Sequence, residues 1–422
     1  MKFTTTALAL VLTATAGSAY AQYGTPAPPT NQQPTRMEQQ DQTDQNAKKP
    51  TVKPSRRAEK ALIELQKAVD ANDTATIAAK LAEAEKVAST KEDHYLIGNM
   101  RLKAALAAKD NAAMASAIDA IAASGYESPA KIARLYMAAG SHFYEAKQPA
   151  QAMALYQKGL ALDPQSADLL INLGEAQSAA GQKAQAVSSF QRAIQIQSAA
   201  GQKPQEALYK TALSIAYDAK LPATGELSRQ WVSAYPSAES WRNAIAIYRN
   251  ESHQDVDGTL DLLRLMQATG SLSTAGDYRL FMESAAEQSN FNEAQAVLDA
   301  GIAAKVVSPS DPSFRDDIAG IKAKPKATAA DLEEALKSSP TAINVIRIGD
   351  RFYAMGDYSR AAEVYRQALG RSGVDTNIAN LHLGMALARS GDKAGATAAL
   401  NAVTGQRADI AKFWLVYVKQ HG

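Results

Sequence analysis

A chain of 422 residues is long enough for two or three ordinary domains, unless internal repetition replaces separate cores with a stacked one. Its 45 basic and 43 acidic residues leave a formal charge of +2, so no strong field draws it to nucleic acid or to an anionic membrane. It contains no cysteine, which excludes disulfides, thiolate metal sites and cysteine nucleophiles together and leaves stability to packing.

The first 21 residues, MKFTTTALALVLTATAGSAYA, carry Lys2, an apolar run from Ala7 to Leu12 that continues through small residues, and Ala19-Tyr20-Ala21 before Gln22. These are the charged start, apolar core and small-residue cleavage site of a secretory signal, and the core is too short to span a bilayer. Cleavage after Ala21 and export to a bacterial periplasm, or secretion beyond it, are expected. Residues 22–54 are rich in Gln, Pro, Thr, Asn and Asp and have little apolar surface to set against chain entropy, so they are expected to form a disordered leader. Across 48–60, Lys48, Lys49, Lys53, Arg56, Arg57 and Lys60 form a basic cluster. A solvated linker is the first reading of this cluster, and a peripheral contact with anionic lipid heads or another envelope polymer the second. No later stretch reaches about 18 uninterrupted apolar residues, so no transmembrane segment is expected in the mature chain.

From about Arg57 onward, stretches of helical periodicity alternate with short turns. Apolar residues recur three and four apart, as in Leu62, Leu65, Val69 and in Met114, Ile118, Ile121, and alanine is abundant, so the body is expected to be all-α. Turn signals come in pairs: one inside each unit (Asn72-Asp73, Lys109-Asp110-Asn111, Gly181, Gly356-Asp357, Gly391-Asp392) and one between units, often with proline (Pro164, Pro236, Pro309, Pro340). Glycine supplies the positive φ of a helix end and proline cannot continue a helix, so the chain reads as a string of helical hairpins.

Residues 133–166, ARLYMAAGSHFYEAKQPAQAMALYQKGLALDPQS, place Tyr136, Gly140, Phe143, Ala152, Tyr156, Gly159 and Pro164 at the offsets of a tetratricopeptide repeat, which the stretch resembles. The unit from Ala167 follows the same pattern with Leu170, Leu173-Gly174, Gly181, Ala186, Phe190 and Ala193, although Gln177 stands where an aromatic is usual. The unit from Ala342 gives Ile348-Gly349, Phe352, Gly356, Ala361, Tyr365 and Ala368, and that from Asn377 gives Leu383-Gly384, Leu387, Gly391, Ala396 and Leu400. About ten units are countable. The resemblance divides the chain into degenerate hairpins at 55–130, a repeat pair at 131–200, degenerate repeats at 201–341, a second repeat pair at 342–409 and a capping helix at 410–422. That last segment carries the apolar stripe Ile410, Phe413, Trp414 and Tyr417. The implied fold is a right-handed α-solenoid of stacked antiparallel helix pairs, in which stacking covers the face each hairpin leaves wet. Helices approach closely only where side chains are small, so Gly140 and Gly174 are expected to face Ala152 and Ala186, with the aromatics filling the wedge to the next hairpin.

In such repeats the first helix of each pair lines a concave groove. The resemblance places Arg134, Met137, Ser141, Tyr144 and Glu145 there, then Asp168, Ile171, Asn172 and Glu175, and at the far end Arg347, Asp350, Tyr353, His382, Met385 and Arg389. It implies a module that binds an extended peptide or a partner helix, serving as scaffold or adaptor in a cell-envelope assembly. The subclass that clamps a C-terminal carboxylate needs basic residues where Leu208 and Ala212 stand, so that ligand is not expected, although Asn172 matches one clamp position.

Enzymatic readings find little support. His94, His142, His253, His382 and His421 show no two-ligand spacing, no Gly-rich phosphate loop or Gly-x-Ser-x-Gly elbow occurs, and Asp316-Asp317 and Glu333-Glu334 point about 100° apart on a helix. No enzyme, metal, cofactor or nucleic-acid partner is expected. The alternative kept beside this reading is an enzyme, or an enzyme's accessory, with a site in the degenerate segment 201–341.

Overall fold

Helices begin where short polar side chains can replace missing backbone partners. Thr90, Asp110, Ser128 and Ser166 accept from the backbone N–H of Asp93, Ala113, Lys131 and Leu169, and Pro129 and Pro149 fill first-turn positions that need no donor. The turn inside a hairpin passes through one left-handed residue: Asn72, Lys109, Lys147, Lys220, His253 and Ser289 do so against a steric cost that Gly181, Gly356 and Gly391 avoid.

A computed structural model describes residues 52–339 and 341–421. The expected signal 1–21, the leader up to residue 51 with Lys48 and Lys49, the turn residue Pro340 and the terminal Gly422 lie outside the described residues. Among the described residues there are 21 α-helices and no strand, consistent with an α-solenoid. The chain divides into two units after Leu208.

The first unit holds α1 (Glu59–Asp70), α2 (Thr74–Val87), α3 (Lys91–Ala108), α4 (Asn111–Ala123), α5 (Pro129–Glu145), α6 (Pro149–Leu162), α7 (Ala167–Ala179) and α8 (Lys183–Ala199). Consecutive helices pair as α1–α2, α3–α4, α5–α6 and α7–α8, and each pair packs on the next. Leu62, Leu65, Ile77, Leu96 and Ile97 form one apolar cluster; Met114, Ile118, Tyr136, Phe143, Tyr156 and Leu173 belong to another. The chain before α1 is tied down as well, because buried Asp93 accepts from the backbone N–H of Ser55 at 2.8 Å while it caps α3.

The helix α9 (Glu206–Asp218) spans the division. The second unit continues with α10 (Thr224–Ala234), α11 (Ala238–Ser252), α12 (Val256–Ala268), α13 (Ala275–Glu287), α14 (Phe291–Ala303), α15 (Arg315–Ala323) and α16 (Ala329–Ser338). It ends with α17 (Ala342–Ala354), α18 (Tyr358–Leu369), α19 (Thr376–Ser390), α20 (Lys393–Asn401) and α21 (Ala408–Gln420). Here the last helix does more than cover the last pair. Besides α20 and α19, α21 packs against α10 and α12, so the end of the unit returns to its beginning. Phe413 lies 5.3 Å from the ring of Tyr248 and 6.4 Å from that of Trp241; Gln420 accepts from the Trp241 indole at 3.2 Å and donates to the Val232 carbonyl at 2.7 Å. Arg229 and Arg407 complete the seam through Asp409 at 3.1 Å and Asp255 at 2.7 Å.

One packing expectation needs correction. The small residue of the first helix does face the second, but it seats an aromatic ring of its own hairpin. A Cβ built on Gly140 would lie 2.4 Å from the Tyr156 ring, on Gly174 2.7 Å from Phe190, and on Gly349 2.5 Å from Tyr365. The rings therefore fill the space within the hairpin, and the alanines Ala152, Ala186 and Ala361 are fully buried. Gly174→Ala is expected to destabilise by about 1–3 kcal/mol through overpacking, more than the roughly 1 kcal/mol alanine returns as a helix former. The midpoint of urea unfolding measures the loss, and Gly174→Ala combined with Phe190→Leu should recover part of it.

Candidate functional site

The groove positions of the first unit occupy neighbouring helices, α5 and α7. Arg134, Met137, Ser141 and Tyr144 on α5, and Asp168, Ile171, Asn172 and Glu175 on α7, are all half-buried, while Glu145 is exposed. They overlie a firm floor: Tyr136, Phe143, Tyr156 and Leu173 are buried, and Ser141 Oγ meets the Tyr156 hydroxyl at 3.3 Å. Glu175 is the unusual member. Burial alone pushes its carboxyl up to about 7, with no cation near enough to compensate. Burial raises Tyr144 as well, helped by the Glu175 charge, and pushes Tyr156 to about 12. A carboxyl poised near neutrality between two tyrosines can take up a proton or an incoming cation.

The corresponding positions of the second unit have a different setting. Asp350 is largely enclosed and Tyr353 and His382 are 5% exposed, because side chains of α12 reach them. His382 stands between two carboxylates, Nε2 3.0 Å from Asp261 and Nδ1 2.9 Å from Asp350, as ion pairs by distance rather than as aligned hydrogen bonds. Arg264 donates to both oxygens of Glu293 at 2.7 and 2.8 Å and to Asp261 at 3.2 Å, and lies 3.6 Å from Asp350. Tyr365 donates to Asp350 at 2.7 Å. The Asn290 amide donates to Glu293 at 2.9 Å and to the Asp350 carbonyl at 3.4 Å. Burial opposes the charge on His382, but Asp350 and Asp261 outweigh it and push its pKa up to about 10. Burial likewise opposes ionisation of Asp350 and Asp261, yet His382 and Arg264 hold both below the usual carboxylate range. A histidine kept protonated at neutral pH is not a general base there, so this cluster binds helices together rather than moving protons.

Of the remaining positions, Tyr353 packs edge-on to Tyr358 at 5.0 Å with the Arg264 guanidinium 5.5 Å from its ring, and burial raises its hydroxyl. Arg389 donates to the Tyr358 hydroxyl at 2.8 Å, and Met385 is buried. Arg347 is exposed. Arg134, Met137, Tyr144, Asn172 and Glu175 are thus half-buried on the neighbouring helices α5 and α7, with the Glu175 charge felt at Tyr144. The structure assembles Asp350 and His382 into a buried network, with Tyr353 beside it. Repeat offsets did not single out Asp261, Arg264, Asn290 or Glu293. For Asp261 and Arg264 the sequence signal lies in LDLLRLM at 260–266, where an aspartate and an arginine three apart interrupt an otherwise apolar run; Asn290 and Glu293 carry no such signal. Among the described residues no group of three metal-ligating side chains is assembled, and no helix is long and apolar enough to cross a membrane.

Two family models described as tetratricopeptide repeat match the chain, over residues 143–214 and 346–410. No curated protein sequence matches. Solved structures that resemble it include a tetratricopeptide repeat protein from Parabacteroides merdae, at 12% identity and a TM-score of 0.28, covering 70% of this chain and 99% of that one. Another is Naa15/Naa10 bound to HypK-THB, at 11% identity and 0.34, covering 84% of this chain and 64% of that one. A third is the TPR2AB domain of yeast Sti1 in complex with pHSP90, at 15% identity and 0.19, covering 68% and 98%.

The network of the second unit makes a signed prediction. His382→Gln removes a buried cation from between two carboxylates and should cost about 3–5 kcal/mol at pH 7. Because the folded pKa is raised from 6.5 to about 10, the histidine's contribution is complete below pH 6.5 and is lost as pH rises through about 10. Urea unfolding of both forms should therefore show a gap that is wide at pH 7, narrows as pH rises towards 10 and is closed above it.

Proposed function

We propose, from the premise that residues 143–214 and 346–410 are tetratricopeptide repeats, that this protein is a binding module for other proteins whose contact face is formed by α5 and α7. Repeats of this kind are interaction modules, and the observation that carries the placement is the uncompensated, half-buried carboxyl of Glu175 beside Tyr144. An extended peptide or partner helix laid along Arg134, Met137, Tyr144, Asn172 and Glu175 would cover the aromatic and apolar parts of the face. A lysine or arginine of the partner would neutralise Glu175. The setting of the protein is proposed to be a bacterial periplasm, where it would act as scaffold or adaptor in an envelope assembly; the reading of residues 1–21 as a secretory signal supports this.

Photoreactive residues at 144 and 172 in cells should capture a protein partner, and Glu175→Lys should reduce capture about tenfold or more while leaving the far-ultraviolet dichroism unchanged. Because Glu175 ionises as pH rises through about 7, capture of a cationic partner should strengthen between pH 6 and 8, and Glu175→Gln should flatten that slope. Equal capture by the wild type and Glu175→Lys would refute this face. Export is checked separately by the mass of the protein released by osmotic shock, which should correspond to a chain beginning at Gln22.

A further inference from the structure

The second unit contains a shallow, open cleft whose walls are whole helix faces. From α17 come Ile343, Ile346, Arg347, Asp350 and Arg351; from α12 come Asp257, Leu260, Asp261 and Arg264. Both sets follow the three-and-four spacing of one helix face. Ile378 and His382 of α19 and the turn residues Gln288 and Asn290 complete it. The floor is electrically settled, since Asp261, Arg264, Asp350 and His382 are paired with one another and with Glu293. The rim is not. Among the described residues the side chains of Arg347 and Arg351 on one wall and of Asp257 on the other form no ion pair or hydrogen bond.

We propose that this cleft binds a small zwitterion with an apolar side chain, a free α-amino acid. Two guanidiniums on one wall fit a carboxylate, which arginine grips through paired N–H donors, and Asp257 opposite them fits an ammonium group. A simple anion would meet the Asp257 carboxylate and a simple cation would meet two guanidiniums, so only a ligand carrying both charges suits the whole rim. Burial and the nearby Asp261 charge raise the Asp257 carboxyl, opposed by His382 and Arg407, and an ammonium ion would relieve that strain. The apolar requirement comes from Leu260, Ile346 and Ile378, together with Ile343, which is 46% exposed in a helix whose other large apolar residues are covered. This inference concerns the second unit and stands apart from the partner face on α5 and α7.

Calorimetric titration of the full chain with L-valine, L-leucine, L-isoleucine, L-methionine and L-phenylalanine is the test. At least one should bind with Kd at or below about 1 mM. For that ligand, its N-acetyl form and its amide, each lacking one charge, should bind about tenfold or more weakly. Arg347→Ala should abolish the preference over the amide and Asp257→Asn the preference over the N-acetyl form, both with unchanged melting of the ligand-free protein. Glu175→Lys should leave binding intact, which separates this site from the partner face. If none of the five binds, if the N-acetyl form and the amide bind as well as the free amino acid, or if the Arg347 and Asp257 variants bind as the wild type does, the assignment is wrong.

Discussion

A helical hairpin leaves one apolar face that only another hairpin can cover, and how closely the two helices of a hairpin approach decides what that face looks like. In this protein the approach is set by a ring seated on a glycine: Tyr156 on Gly140, Phe190 on Gly174 and Tyr365 on Gly349. Each seat fixes the separation and rotation of its two helices, and with them the direction in which the remaining residues of the first helix point. The positions beside the glycine are then free to vary, and their chemistry gives each unit its character.

The two units use that freedom differently. On α5 and α7 the variable positions are half-buried, with a carboxyl that has no internal partner. On α17 and α19 the equivalent positions Asp350 and His382 meet Arg264 and Asp261 of α12, and most of their charge is consumed inside the unit. Closure by α21 favours this second arrangement, because Phe413 and Gln420 hold the end of the unit against α11 and α10 and so bring α12 within reach.

The sequence made most of the architecture legible, for physical reasons. Glycine, alanine and aromatic residues at fixed offsets are needed for close helix approach, so Gly140, Ala152 and Tyr156 announce a hairpin whatever surrounds them. Proline and left-handed turn residues punctuated the rest. The internal pairing was not legible, because it depends on contacts between helices far apart in the chain: nothing local to Asp350 or His382 says that Asp261 will face them. Repeat offsets could mark those residues only as variable, which is equally true of a binding face and of a closed polar core. Glu175 was named by offset, but its want of a partner emerges only when α5 and α7 are seen together.

The central claim is that one repeat pattern yields an accessible face in the first unit and a closed charge network in the second. Carbodiimide labelling of carboxyl groups on the native full chain, read by peptide mass, tests it most directly. Glu175 should label readily near neutral pH, since much of it is protonated there, while Asp261, Glu293 and Asp350 should stay unlabelled until the chain is unfolded. Labelling of Asp350 or Asp261 in the native protein as fast as Glu175 would contradict it.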